Sequence, residues 1–180
     1  WPSGCRILDA GRRAVLPGFV DCHTHLCFAG SRRDEYQERL RGTSYESIAQ
    51  RGGGILSTVR HTRAALREQR SDLAEDLRGR LDQMLLHGTT TAEVKSGYGL
   101  TTEDELDTLR LYRDLGARHP VELVPTFLGA HELPPEFRKD GRTGRGRYLD
   151  LVCNDMLPAV AAEKLAAFCD VYCEEHVFSL

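Results

Sequence analysis

A strand followed by a helical pattern recurs along this chain, and no other feature restricts its fold as tightly. The segments AVLPGFVDCHTH (14–25), TTTAEVKSG (89–97), VELVPTFLGAH (121–131) and CDVYCEEHVF (169–178) are rich in Val, Leu, Phe and Thr, a composition that suits strands. Two helical patterns, ILSTVRHTRAALREQR (55–70) and DLAEDLRGRLDQMLLHG (72–88), separate the first two strands. In the second of these, Leu73, Leu77, Leu81 and Leu85 recur every four residues before Gly88, which predicts one apolar helix face and a glycine stop. Thr102 with Glu105 three residues on predicts a capping box, opening a helix that carries Leu106, Leu109, Tyr112 and Leu115 to Gly116. A further helix is expected from about Pro158, in LPAVAAEKLAAF (157–168). Such alternation implies parallel strands with crossover helices, either an open doubly wound sheet or a (β/α)8 barrel, and both place ligands at the carboxyl ends of the strands. The polar residues gather there: His23 and His25, Lys95 to Tyr98, His131, and Glu174 to His176.

Bulk properties narrow the function classes. At 180 residues the chain has the length of one ordinary domain. A net charge of -3 argues against nucleic acid or an anionic membrane as the partner and leaves small-molecule chemistry open. No apolar run approaches the roughly 20 residues of a membrane span. WPSGCRILDAG, at the amino end, has neither the basic start nor the apolar core of a signal peptide, so a cytoplasmic protein is expected. The six cysteines form no C-x-x-C pair and are read as reduced and mostly structural. RGGGIL (51–56) lacks the G-x-G-x-x-G spacing and reads as a turn. ELPPEFRKDGRTGRGRYLD (132–150) is the one long irregular stretch, expected as a solvated loop.

His23 and His25 deserve a closer reading. Residues two apart on an extended strand point to one face, about 6 to 7 Å apart along the chain. Two imidazoles so placed can converge on a metal ion, although a bare H-x-H also describes ordinary polar residues at a strand end. Beyond that pair, LPGFVDCHTHLCFAGSR (16–32) resembles the first barrel strand of the amidohydrolase superfamily, and GGGILSTVRHTRAA, EVKSGYGL and TFLGAH resemble the imidazolonepropionase family within it. The resemblance runs in order from about Leu8 to Ser179.

It implies an α/β fold, the (β/α)8 TIM-type barrel of that superfamily represented by its first four βα units. Residues 1–16 would end a small N-terminal β-domain and enter the barrel, and 17–180 would form the barrel's first half. It further implies one divalent ion, zinc or iron, with His23 and His25 as metal ligands; Arg32, Tyr98 and His131 as substrate-binding residues; and His131 as catalytic. The implied reaction is hydrolysis of the imidazolone ring of 4-imidazolone-5-propanoate to N-formimidoyl-L-glutamate. The residue types suit it: Arg32 presents a planar fork to the propionate, Tyr98 can donate a hydrogen bond, and His131 can polarise the ring carbonyl or hold the substrate. Two departures stand out: His176 replaces the glycine of the pattern, and the later histidine and aspartate ligands of the superfamily are not in this sequence. Another cyclic amide or amidine hydrolase or an aminohydrolase would share His23 and His25 but not EVKSGYGL with FLGAH. A noncatalytic half-barrel is the reading from a different class. Alone, the 180 residues are expected to be inactive and to aggregate or pair as a homodimer. Lys95 is read as an ion-pair partner of Glu93, and His61, His87 and His119 are assigned no role.

Overall fold

The computed structural model describes residues 3–174 and 177–178. Four parallel strands, β1 (Phe19–Thr24), β2 (Thr89–Lys95), β3 (Glu122–Ala130) and β4 (Phe168–Val171), lie side by side in chain order and curl into a half-barrel. Between β1 and β2 run α1 (Arg33–Leu40), α2 (Tyr45–Gln50), α3 (Ile55–Glu68) and α4 (Arg70–Leu86). α5 (Thr102–Gly116) links β2 to β3, and α6 (Pro135–Arg138), α7 (Gly141–Leu151) and α8 (Leu157–Glu163) link β3 to β4. Among the described residues no helix is long and apolar enough to cross a membrane.

The four-residue leucine spacing does what it predicts. Leu73, Leu77 and Leu81 are buried in the core, with Leu85 packed at its edge, and α4 stops where Gly88 takes φ +92° and donates its N–H to the Leu85 carbonyl. From β2, Ala92 and Val94 are completely buried in the same core. Their neighbours Thr91, Glu93 and Lys95 alternate to the concave face.

Three expectations about elements need correction. The cap of α5 is Thr101, whose hydroxyl accepts from the Asp104 N–H at 3.1 Å; Glu105 turns inward to a different task. The stretch 132–150 is largely helical, not a loop. Tyr148 anchors it, fully buried and donating to the Gly129 carbonyl at 2.7 Å. Gly144 permits the close approach, since a β-carbon there would run into the Phe137 carbonyl. The helix expected from Pro158 is the end of one run from Gly141 to Glu163, widened to a π turn at Val152–Met156. Pro158 has no N–H for the carbonyl four residues back, and the wider turn accommodates that loss. The cysteines also depart from expectation: Cys27 alone is buried, and Cys5, Cys22, Cys153, Cys169 and Cys173 are exposed. Two of these, Cys22 and Cys169, lie on the outermost strands, β1 and β4.

Candidate functional site

The carboxyl end of β1 is built by a bulge. The ladder to β2 pairs Asp21 with Ala92 and Thr24 with Val94, so β1 spends one more residue than its partner. Asp21 takes up the slack by accepting from the His23 N–H at 3.3 Å. An extra residue reverses the alternation of side chains, and His23 and His25 thereby join Glu93 and Lys95 on the concave face. Tyr112, fully buried on α5, locks this arrangement to β2. Its hydroxyl accepts from the Cys27 N–H and donates to the Lys95 carbonyl, both at 2.9 Å.

The end of β2 is held differently. Gly97 sits at φ +107°, and a β-carbon there would lie 2.8 Å from the Leu128 carbonyl oxygen and 2.9 Å from His131 Nδ1, so only glycine fits. The completely buried Glu105 carboxylate accepts from the N–H groups of Gly97, Gly99 and Leu100 at 2.7–3.2 Å. Burial raises the Glu105 carboxyl above its ordinary range, opposed by Ser96 and by these backbone donors. Between the tethered residues Tyr98 projects to the histidines, its ring centroid 4.9 Å from that of His25 and 5.3 Å from that of His131.

His131 follows β3 directly and stacks on His25, centroids 4.7 Å apart and planes within 12°. Its Nδ1 lies 2.9 Å from the Gly97 carbonyl oxygen. Burial lowers the pKa of both rings, and for His25, which also faces His131, His23 and Lys95, to about 4. His25 is therefore neutral at pH 7. Arg32, just before α1, gives its Nε to Glu35 at 2.9 Å and reaches the rim of a cleft of about 500 Å3 that Tyr98 and His131 also line. A smaller cavity of about 130 Å3 lies between His23, His25, His131 and Asp170. Below the histidines, Lys95 donates to Glu93 at 2.9 Å and to Asp170 at 2.8 Å. Burial works against the Lys95 charge, but these two carboxylates outweigh it and raise its pKa.

The sequence-derived residues thus meet at one place: His23, His25, Tyr98 and His131 form a contiguous ring cluster, with Arg32 at the mouth. His176 lies outside the described residues. Tyr45, Arg138 and Tyr172 line the same cleft and were not anticipated. Asp170 was also missed, although its place on the fourth strand is the signal that it shares a face with Lys95.

A metal ion fits part of this cluster. Two imidazoles on one tetrahedral ion bring their centroids to about 5 to 6 Å; His23 and His25 stand at 5.6 Å. The His25 Nδ1 is buried with no hydrogen-bond partner. His131 does not join them as a ligand, because stacked parallel rings aim their in-plane lone pairs side by side. Among the described residues no group of three His, Cys, Asp or Glu could hold an ion, so His23 and His25 make half a site.

Comparison with known proteins places the chain in a family. The amidohydrolase family model matches residues 14–112. The imidazolonepropionase of Symbiobacterium thermophilum is 57% identical over 176 residues, which is 97% of this chain and 40% of that protein. Those of Shouchella clausii and Xanthomonas campestris pv. campestris are 52% and 53% identical, over 97% and 95% of this chain and 38% and 40% of theirs. The chain spans about 40% of the length of these curated relatives. It belongs to the amidohydrolase family, whose members are generally metal-dependent.

Proposed function

We propose that the complete protein hydrolyses 4-imidazolone-5-propanoate to N-formimidoyl-L-glutamate, with residues 1–16 ending a small β-domain and 17–180 forming the first half of a (β/α)8 barrel. The observation that carries this reading is the convergence of His23, His25, Tyr98 and His131, from three strand ends, on a cleft with Arg32 at its rim. Its size, about 500 Å3, is in the usual range for small-molecule sites.

His23 and His25 are the residues that would hold the ion, zinc or iron. When bound, a divalent ion supplies Lewis-acid activation of water near neutral pH. The protein's own groups do the rest. Burial keeps His25 neutral, the form in which imidazole is a ligand. Arg32 grips the propionate through nitrogens other than the Nε committed to Glu35, and so fixes which end of the substrate enters. Tyr98 and His131 contact the ring from one side.

The test uses the complete gene product. His23→Ala and His25→Ala, each removing one ligand from the metal's small set, should strip the metal and abolish turnover while the circular dichroism spectrum stays that of the wild type. Metal analysis and product detection by mass spectrometry check this. Full metal occupancy with normal turnover in either variant removes the reading.

A further inference from the structure

Glu105 reaches neither the cleft nor the histidines, yet it is one of the most heavily engaged side chains in the molecule. A carboxylate with no exposed surface loses its hydration, which burial alone makes costly. Here the compensation comes from three backbone N–H groups of one turn, at Gly97, Gly99 and Leu100. The Gly97 peptide carries this contact onward. Its N–H points at Glu105, and its carbonyl oxygen lies 2.9 Å from His131 Nδ1. A carbonyl oxygen only accepts, so the ring nitrogen facing it must be the donor. Neutral His131 therefore carries its proton on Nδ1, and its Nε2 is left as a hydrogen-bond acceptor.

We infer that Glu105 is a positioning residue for the proposed reaction: by holding the 97–100 turn it orients the Gly97 carbonyl, which fixes the tautomer of His131 so that Nε2 accepts from a ring N–H of the substrate. This inference rests on the function proposed above. It also chooses between the two tasks open to His131, holding the substrate or polarising its carbonyl, since a neutral ring in this tautomer has no proton to give from Nε2. The class of ligand it favours is a five-membered cyclic amide or amidine with an N–H on the edge that meets His131. Tyr98, carried between the tethered Gly97 and Gly99, is aimed by the same carboxylate.

The tautomer is read directly by long-range 15N–1H correlation on the zinc-loaded complete gene product with 15N-labelled histidine; zinc leaves the spectrum diamagnetic. The His131 signals are assigned by their loss in His131→Asn. Wild type should show the Nδ1–H pattern for His131 at neutral pH. Glu105→Gln keeps the volume but turns one of the two accepting oxygens into an N–H donor facing backbone N–H groups. It should give a mixed or inverted tautomer and at least a tenfold lower kcat/KM, with zinc content unchanged. Glu105→Asp retains the carboxyl group but is one methylene short of the three donors, and it should fall between wild type and Glu105→Gln in both readouts. An Nε2–H pattern in the wild type overturns the inference, whatever the variants do. So does a Glu105→Gln or Glu105→Asp protein that melts at a lower temperature yet keeps the wild-type tautomer and kinetic constants, since the residue is then only a structural brace. Because the tautomer is measured without substrate, failure of the proposed activity would appear separately, as a wild type with the Nδ1–H pattern and no turnover.

Discussion

Tyr112→Phe isolates one atom of the scaffold under the site. The ring stays and packs as before, since Tyr112 has no exposed surface. The hydroxyl is lost, and with it the acceptor of the Cys27 N–H and the donor to the Lys95 carbonyl, each at 2.9 Å. The gap left by one oxygen is too small to admit a water, which needs polar partners and room for a probe sphere. Leaving a buried backbone group unpaired costs about 1 to 3 kcal/mol. Two such groups, less what is regained by no longer burying a hydroxyl, suggest a loss of about 2 to 4 kcal/mol. Because Cys27 directly follows the segment that presents His23 and His25, the loss should be felt there first. Amide exchange at Cys27 should quicken by roughly 30-fold to 1000-fold, the same free energy expressed as an opening equilibrium. Tyr148→Phe is the control: it removes a single hydrogen bond, to the Gly129 carbonyl, on another strand, and it should cost about half as much and leave Cys27 exchange alone. Unchanged exchange at Cys27 in Tyr112→Phe would refute the idea that this hydroxyl ties the ends of β1 and β2 together.

In the complete gene product, Arg32→Ala should raise KM for the proposed substrate about 30-fold to 1000-fold, the equivalent of roughly 2 to 4 kcal/mol of a desolvated charge-assisted contact, with a smaller effect on kcat; steady-state kinetics with an unchanged KM would place the carboxylate elsewhere. Residues 1–180 expressed alone should associate, because Phe19 and Val20 on β1 and Phe168 and Val171 on β4 are more than half exposed on strands with an unpaired edge; size-exclusion chromatography showing a stable monomer at micromolar concentration would contradict this.

What could be read from the sequence were the features whose cause is local. The four-residue leucine repeat of α4, the glycine at its end and the β-rich runs each carry their own signal, and parallel order follows from their alternation. The candidate site residues drew notice in two ways: His23, His25, Tyr98 and His131 lie in motifs at strand ends, where the fold itself collects side chains, and Arg32 was singled out by the family resemblance alone. What escaped had its cause elsewhere in the chain. Gly141, Gly144 and Gly146 give α7 poor intrinsic propensity; the helix stands because Tyr148 reaches Gly129 and Gly144 fits under Phe137. Thr102 and Glu105 satisfy the capping-box spacing, but Thr101 takes the cap and Glu105 is drawn inward by three N–H groups of the preceding turn. A pattern of types cannot say which of two adjacent threonines meets the helix, nor that a glutamate has a better offer five to eight residues upstream.

The bulge in β1 shows how much function can depend on such a nonlocal event. By simple alternation from Val20, the residues on the concave face would be the even-numbered ones, and both histidines would face the helices. The extra residue between Asp21 and Thr24 reverses the parity just before His23. The concave wall is consequently divided along its length. Its lower part, with Val20, Cys22, Val124 and Phe168, forms an apolar groove; its upper part carries Lys95 between Glu93 and Asp170, with the histidines above. The Lys95 ammonium, raised in pKa and held by two carboxylates, is a fixed positive charge near His25 that helps to keep that ring neutral. Moving Lys95 by one register position would send it toward the completely buried surface of Ala92 and Val94, where an ammonium has no partner and costs several kcal/mol. The register that buries the outer face of β2 is therefore the same register that sets charge beneath the ring cluster, and selection for the core and for the site acts on one and the same alignment of strands.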